Sequence, residues 1–158
     1  MRTFLFLALS LTWLAGCATQ AHAPYGNFLQ NNTQTNDRKV VDDVVKKLVS
    51  LYPPATTRFD LQHATPDYFG SYLVASLRAK GYAVLEFQSD STTASTASAA
   101  SEAPATPGLL LSYIVDQGQS SDLFRVELII NRQQRLNRVY QLAQDGVLYP
   151  AGYWLRKE

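Results

Sequence analysis

The feature that most constrains the fold is a change of pattern at a low-complexity segment within the chain. Residues 89–107 consist almost entirely of Ser, Thr, Ala and Pro, a composition that buries too little apolar area to offset its ordering entropy. Helical and strand-like patterns precede the segment, whereas only strand-like alternation follows it. We therefore expect an α+β domain with 89–107 as a disordered loop between two strands. A boundary between two domains is the alternative, but neither flank alone is large enough to fold independently.

Two helices are predicted before this loop. In the first helix, Asn36 or Asp37 can cap the start and the pair Pro53-Pro54 ends it. In the second, Thr65 is the predicted N-cap, and the helix ends before Gly81, which can adopt the left-handed conformation. Helical spacing predicts that the apolar faces are Val41, Val44, Val45, Leu48, Val49 and Tyr52 in the first helix, and Phe69, Tyr72, Leu73 and Leu77 in the second.

Strands are predicted beside both helices and throughout the second half of the chain. Residues 57–62 and 82–87 read as strands, and alternating segments separated by polar turns follow Leu109. Asp145-Gly146 indicates a tight turn, and residues 153–155 are either a last strand or a packed extension. The sequence thus predicts two helices packed on a small mixed or antiparallel sheet, in one domain of residues 37–158.

The chain begins with a short apolar run that ends in Leu-Ala-Gly-Cys at residues 14–17. This tetrad resembles the lipobox of bacterial lipoproteins, in which the cysteine is acylated and becomes the new N-terminus. We therefore expect residues 1–16 to be a signal peptide and Cys17 to carry a covalent lipid, with no other cofactor. The alternatives are a signal peptide cut at Ala18 or Ala23, an uncleaved membrane helix, and a buried structural cysteine. The apolar run is shorter than the roughly 20 residues that a spanning helix requires.

The residues after Cys17 predict a location and a tether. Ala18 stands where an aspartate would retain a Gram-negative lipoprotein in the inner membrane, so the resemblance favours the outer membrane, with the body of the protein in the periplasm. Residues 17–36 are polar and rich in asparagine, which is typical of a flexible tether. Tyr25, Phe28 and Leu29 interrupt this polarity, either as incidental residues of a linker or as a segment that docks into a partner.

Charge and motifs argue against nucleic-acid binding and catalysis. The formal net charge is +1, without the basic excess of nucleic-acid-binding surfaces. The sequence has no nucleophile elbow, P-loop or Cys-x-x-Cys motif. His63 and Asp67 straddle a predicted helix cap, so a solvated or capping role is favoured over metal binding. A glycan-cleaving enzyme would need a pair of carboxylates, for which the candidates are Asp60, Asp67, Glu86 and Asp116.

Two groups of side chains are candidate partner contacts. Four arginines cluster on one predicted hairpin, either as the solvated rim of a sheet or as a contact for an acidic partner, lipid or cell-wall anions. The aromatic C-terminal end, which also includes Tyr149, is either an interface or part of the core. The predicted contact residues are Arg125, Arg132, Arg135, Arg138, Tyr153 and Trp154.

The lipobox, the polar tether, a helix ending in Tyr52-Pro53-Pro54 and the run from Tyr72 to Val84 together resemble the TrbH family of conjugal transfer lipoproteins. The resemblance implies a non-catalytic outer-membrane lipoprotein that serves as a structural and assembly subunit of a conjugative type IV secretion (mating-pair formation) channel. Its implied partners are the core-complex proteins of that channel, within a multi-subunit ring. The layout of helices and strands also resembles the small N-terminal domain of secretins and TonB-dependent receptors. The alternative function is a stand-alone cell-wall-binding lipoprotein.

Overall fold

Two helices lie on one face of a mixed β-sheet in the residues that the computed structural model describes, which are 25–30, 32–88, 107–118 and 122–158. The α+β prediction is therefore confirmed. The elements in chain order are β1 (Gly26–Asn27), α1 (Gln34–Leu51), a 3-10 turn (Pro54–Thr56), β2 (Arg58–Leu61), α2 (Tyr68–Ala79), β3 (Ala83–Leu85), β4 (Leu109–Gln117), β5 (Leu123–Ile130), β6 (Gln134–Leu142), β7 (Leu148–Pro150) and β8 (Leu155–Lys157).

The strand order of the sheet is β3-β2-β4-β5-β6-β7. Strand β2 runs parallel to β3 and β4, whereas β4, β5, β6 and β7 form an antiparallel series. Two short strands complete the edges, because β1 pairs in parallel with β4 and β8 pairs antiparallel with β6. One row of register partners consequently crosses the sheet from Gly26 through Ile114, Glu127 and Asn137 to Leu155.

The hydrophobic core lies between the helices and one face of the sheet. Alternate residues of β4 and β5 face the helices, as the period of two in their sequence predicts. Most of the predicted helix faces are buried as well, although Val49 is 37% exposed. The fully buried large side chains include Leu48, Phe59, Phe69, Leu73, Leu77, Leu111, Tyr113, Leu128, Ile130, Leu136 and Tyr140.

The helix starts differ from those predicted. Helix α1 is capped by Thr33, whose hydroxyl accepts a hydrogen bond from the Asn36 amide at 3.3 Å, so Asn36 and Asp37 lie in the first turn. Helix α2 is capped by Asp67 rather than Thr65, because the Asp67 carboxylate accepts from the Gly70 amide at 3.1 Å. Several residues with oxygen-bearing side chains precede each helix, and tertiary contacts select the one that caps.

The folded domain extends into the predicted tether, residues 17–36. Strand β1 and the first turn of α1 fall within that range. The side-chain Nδ2 of Asn27 donates to the Asp67 carboxylate at 3.2 Å. The side chain of Asn36 donates from Nδ2 to the Gly146 carbonyl at 3.1 Å, and its Oδ1 accepts from the backbone N–H of Leu148 at 3.0 Å. Residues 25–30 and 32–36 therefore belong to the folded domain. Cys17, the rest of the predicted tether and residues 89–106 lie outside the described residues.

The two glycines that the sequence assigns to a helix end and a tight turn have positive φ values. Gly81 follows α2 with a φ of 90°, and Gly146 has a φ of 74° in the turn between β6 and β7. Both values lie in the left-handed region that glycine adopts at little cost.

Neither helix in the described part of the chain is long and apolar enough to cross a membrane.

Candidate interaction surface

The sheet face opposite the helices carries paired charges, and no helix of the described residues covers it. On this face Arg125 bonds Asp116 on the neighbouring strand, with Nε 3.1 Å from Oδ1. Arg135 donates from Nη1 to Oε1 of Glu127 at 2.8 Å. Glu127 is itself buried. These pairs satisfy the charges of the face internally and leave its apolar residues as the features that a partner can recognise.

Exposed apolar side chains gather where β6 meets β8. Val139 on β6 and Leu155 on β8 lie on the face without helices, and they are diagonal neighbours because Asn137 is the register partner of Leu155. Leu155 is 69% exposed, and Tyr153, just before β8, is 89% exposed. We call Val139, Tyr153 and Leu155 the C-terminal patch. Large apolar residues at such exposure, close together, are typical of interaction sites.

The four candidate arginines share the hairpin of β5 and β6 but do not form one surface. Arg125 and Arg135 lie on the face without helices, each bonded to a carboxylate, whereas Arg138 faces the helices. Arg132 lies in the connecting turn and is exposed. The strand period of two predicts this division, because Arg138 shares its side of β6 with Leu136 and Tyr140.

Arg138 links α1 to the sheet. Its Nη1 donates to both carboxylate oxygens of Asp43, at 2.9 and 2.8 Å, and the Tyr140 hydroxyl donates to the same carboxylate at 2.6 Å. The guanidinium also lies 5.8 Å from the ring centroid of Trp154, which packs against the core. Burial and the Asp43 carboxylate raise the pKa of Tyr140. Arg138 and Trp154 therefore act within the fold, and among the C-terminal aromatic pair Tyr153 is the one open to a partner.

The turn that holds Arg132 has an unusual conformation for its sequence. Asn131 and Arg132 have φ values of 51° and 62°, and the Gln133 amide donates to the Ile130 carbonyl at 3.2 Å, which together define a type I′ turn. Glycine is the preferred residue at the second of these positions. A left-handed residue with a side chain costs roughly 1–2 kcal/mol. An exposed arginine kept at such a position is a candidate for a functional contact.

Charged side chains and a proline at β3, β7 and β8 disfavour the pairing of another strand with the sheet. At β3, Arg78 donates to the Val84 carbonyl at 3.3 Å and pairs with Glu86 at 2.7 Å. At the other edge, β7 ends in Pro150, and β8 includes Lys157. Charged side chains and proline are the usual means of blocking edge pairing. Strand addition at β3, β7 and β8 is therefore disfavoured.

A groove of about 590 Å³ separates the two helices on their outer side. Val49, which the helical spacing assigned to the buried face, instead lines this groove and is partly exposed. The groove has a mixed character, with both acidic and basic residues among its walls, which are Asp42, Val45, Lys46, Val49, Tyr72, Ser76, Ala79 and Lys80.

The candidate catalytic carboxylates all have structural partners. Asp60 is held by Arg58 at 2.8 and 3.0 Å, and Asp67 caps α2. Glu86 and Asp116 pair with Arg78 and Arg125. Within the described ranges, no three His, Cys, Asp or Glu side chains are grouped so that they would hold a metal ion.

His63 has a role that the sequence did not predict. It is buried, with 7% exposure, and its Nε2 lies 3.2 Å from the backbone amide of Tyr113 on β4. A solvated role is therefore excluded. The only sequence signal for this position was its location at the end of a predicted strand.

Comparison with known proteins identifies the family. No significant match was found among curated proteins or solved structures, so the likeness to the secretin N-terminal domain stays a prediction. A family model described as conjugal transfer protein TrbH matches residues 22–158. The match spans β1 to β8, including the described domain from end to end. This family is described as a component of conjugal transfer. The chain belongs to the TrbH family of conjugal transfer proteins.

Proposed function

We propose that this protein is an outer-membrane lipoprotein that acts as a structural and assembly subunit of a conjugative type IV secretion channel. Its family membership supports a role among transfer-system proteins of the cell envelope. The lipobox-like tetrad supports acylation of Cys17. In water each buried methylene of an acyl chain contributes roughly 0.8 kcal/mol to membrane attachment, so several chains would make it nearly permanent.

The observation that carries the proposal is the short stretch of chain between Cys17, the candidate anchor, and the first residue of the described fold. Tyr25, the first described residue, follows Cys17 by eight residues, a distance of at most about 28 Å when fully extended. Strand β1 follows immediately and is tied to α2 through Asn27 and Asp67. A lipid on Cys17 would therefore hold the whole domain beside the membrane, so partners would have to assemble there.

Two surfaces would supply the contacts with neighbouring subunits. The C-terminal patch offers Tyr153 and Leu155 at high exposure, and the turn of β5 and β6 offers Arg132. Aromatic residues and arginine are the commonest anchors of protein interfaces. Strand β1, which follows the candidate anchor in the sequence, and strand β8, which carries Leu155 of the patch, lie on opposite sides of the sheet.

Substitution of Cys17 tests the anchor. We expect Cys17→Ser to release the protein from the outer-membrane fraction and to lower conjugation frequency by at least tenfold. Ala18→Ser is the matched control, because it changes the adjacent residue but keeps the thiol, and it should fractionate as the unmodified protein does. A Cys17→Ser protein that still sediments with outer membranes, while transfer continues at the normal frequency, would refute the proposal.

Substitutions in the C-terminal patch test the assembly role separately. We expect Leu155→Lys to abolish co-purification with other transfer proteins from detergent extracts while leaving membrane attachment intact. Val49→Lys is the control, since Val49 is also a partly exposed apolar residue but lines the helix groove. Equal recovery of partners with both variants would exclude the patch. Sedimentation of the purified protein with cell-wall sacculi, without any transfer protein, would instead favour the cell-wall-binding alternative.

A further inference from the structure

The edge of β4 has a junction at which one neighbouring strand ends and another begins. Strand β2 pairs with β4 as far as Leu111, and β1 pairs from Ile114 onward. Next to this junction, the Tyr113 amide donates to His63 Nε2 at 3.2 Å, in a buried hydrogen bond. The histidine ring thus takes the place that a strand carbonyl would occupy. The neighbour of β4 can therefore change from β2 to β1 along the strand without leaving the buried Tyr113 amide unpaired.

The two hydrogen bonds of His63 fix its protonation state. Nδ1 lies 3.0 Å from the Ala64 carbonyl, which can only accept a hydrogen bond, so Nδ1 must carry a proton. Nε2 faces the Tyr113 amide, which can only donate, so Nε2 must be unprotonated. The arrangement therefore requires the neutral imidazole, because a second proton would put two N–H groups against each other.

The residues around His63 connect it to the N-terminal segment. The ring of Tyr25 stacks on the imidazole with centroids 5.9 Å apart, and the ring of Tyr113 meets it edge-on at 4.5 Å. The Asp67 carboxylate accepts from the Tyr113 hydroxyl at 3.3 Å and from the Asn27 amide at 3.2 Å. Loss of the His63 contact would therefore loosen β1 from two sides.

Burial and the neighbouring oxygen atoms shift the pKa of His63 in opposite directions. Burial lowers the pKa of His63 below its ordinary value, while the Ala64 carbonyl and the Asp67 carboxylate oppose this effect but do not reverse it. The Tyr113 hydroxyl remains neutral, since burial and Asp67 raise its pKa. With a lowered pKa in the fold, the unfolded or opened state takes up the proton first as the pH falls. The closed arrangement therefore loses stability below about pH 6.5.

We propose that His63 is a pH-sensitive latch that holds the N-terminal strand on the sheet. With a neutral ring, Nε2 accepts from Tyr113, Tyr25 stacks on the imidazole, and β1 stays paired with β4. Protonation breaks the Tyr113 contact and releases residues 25–28, which connect the domain to the N-terminal part of the chain. The latch does not depend on acylation of Cys17.

Hydrogen exchange of the full chain in detergent tests the latch. At pH 5, after correction for intrinsic exchange rates, we expect the Tyr113 amide and the Phe28 amide to exchange at least tenfold faster than at pH 8. The Phe28 amide reports on β1 because it donates to the Val115 carbonyl at 2.8 Å. The Leu128 amide in the central strand β5 is the internal control and should keep its protection at both pH values.

Two histidine variants separate the latch from general acid effects. His63→Gln places an oxygen acceptor near the position of Nε2 that does not titrate in this range, so protection should be equal at both pH values. The other histidine of the chain, His22, provides the matched control, and His22→Gln should retain the acid response. An acid response that persists in His63→Gln would overturn the proposal. Should that variant fail to fold, unchanged protection of Tyr113 in the unmodified protein at pH 5 would overturn it equally.

Discussion

A single added methyl group at Gly70 should test the close packing between α2 and the sheet. A Cβ at Gly70 would lie 2.3 Å from the Tyr113 hydroxyl oxygen and 2.6 Å from Thr65 Cβ, both far inside ordinary van der Waals contact. Tyr113 is fully buried and its hydroxyl bonds Asp67, so it has little freedom to move. Gly70→Ala should therefore destabilise the fold, although alanine is the better helix former.

The size of this effect follows from three opposing contributions. Overpacking of a core costs about 1–3 kcal/mol, and loss of the Tyr113 hydrogen bond to a charged group costs about 1.5–3 kcal/mol. Replacing glycine by alanine within a helix returns about 1 kcal/mol. Together these ranges give a net loss of about 1.5–5 kcal/mol in the free energy of unfolding. For a domain of this size that lowers the melting temperature by roughly 5–20 °C.

Denaturant and thermal unfolding of the purified protein provide the assay. Gly152→Ala is the control, because a Cβ there meets nothing within 4 Å, and it should change stability by less than about 0.5 kcal/mol. In a Tyr113→Phe background one of the two clashes is gone, so Gly70→Ala should cost at least about 1 kcal/mol less than in the unmodified protein. A Gly70→Ala protein as stable as the unmodified one, or a cost unaffected by Tyr113→Phe, would refute the reasoning.

Three further outcomes follow from the structure. Asp43→Asn should lower the free energy of unfolding by about 3 kcal/mol, since it leaves the partly buried Arg138 without its counter-charge. Arg132→Gly should raise it by about 1 kcal/mol by relieving the left-handed conformation, while reducing recovery of transfer partners. In an alkaline titration followed by tyrosinate absorbance, Tyr113 and Tyr140 should stay un-ionised until the protein unfolds. Because burial raises both pKa values, their contribution to stability is complete below pH 10 and is lost as the pH rises further.

Each of these outcomes has a direct check. Asp42→Asn should be nearly neutral, because Asp42 is exposed, and an equal loss from both aspartate variants would remove the special role of Asp43. A destabilised Arg132→Gly protein would show that the turn is not strained. Ionisation of all nine tyrosines in a still-folded protein would contradict the burial of Tyr113 and Tyr140.

The parts of the fold that the sequence predicts are those governed by local periodicity. Alternation marks β4 and β5 because one face of each is buried, and Gly81 and Gly146 stand where a positive φ is needed. Strand β1 was missed because two residues show no period, and β1 exists only through pairing with β4 and the Asn27 contact with Asp67. No local pattern contains such long-range partners.

The candidate site divides in the same way. The sequence singled out Tyr153, which is exposed, and Trp154, which packs inward, but it could not separate them because the chain leaves the strand pattern there. The inward position of Arg138 could have been predicted from the strand period of two. The contact with Asp43 could not be predicted, since Asp43 lies outside the apolar face that helical spacing predicts for α1. The role of His63 depends on three separate segments and has no sequence signature.

The register row from Gly26 to Leu155 has a mechanical consequence. Strand β1 runs parallel to β4 and β8 antiparallel to it, so the two chain ends leave the sheet in the same direction from opposite edges. Force that draws these ends apart acts across the strands, and it loads backbone hydrogen bonds one after another instead of all at once. The short outer strands would peel away first while the four-stranded centre and its helices stay intact. If the proposed lipid anchor and a partner at the C-terminal patch pulled on these two ends, the domain would lengthen at its margins before its core unfolded.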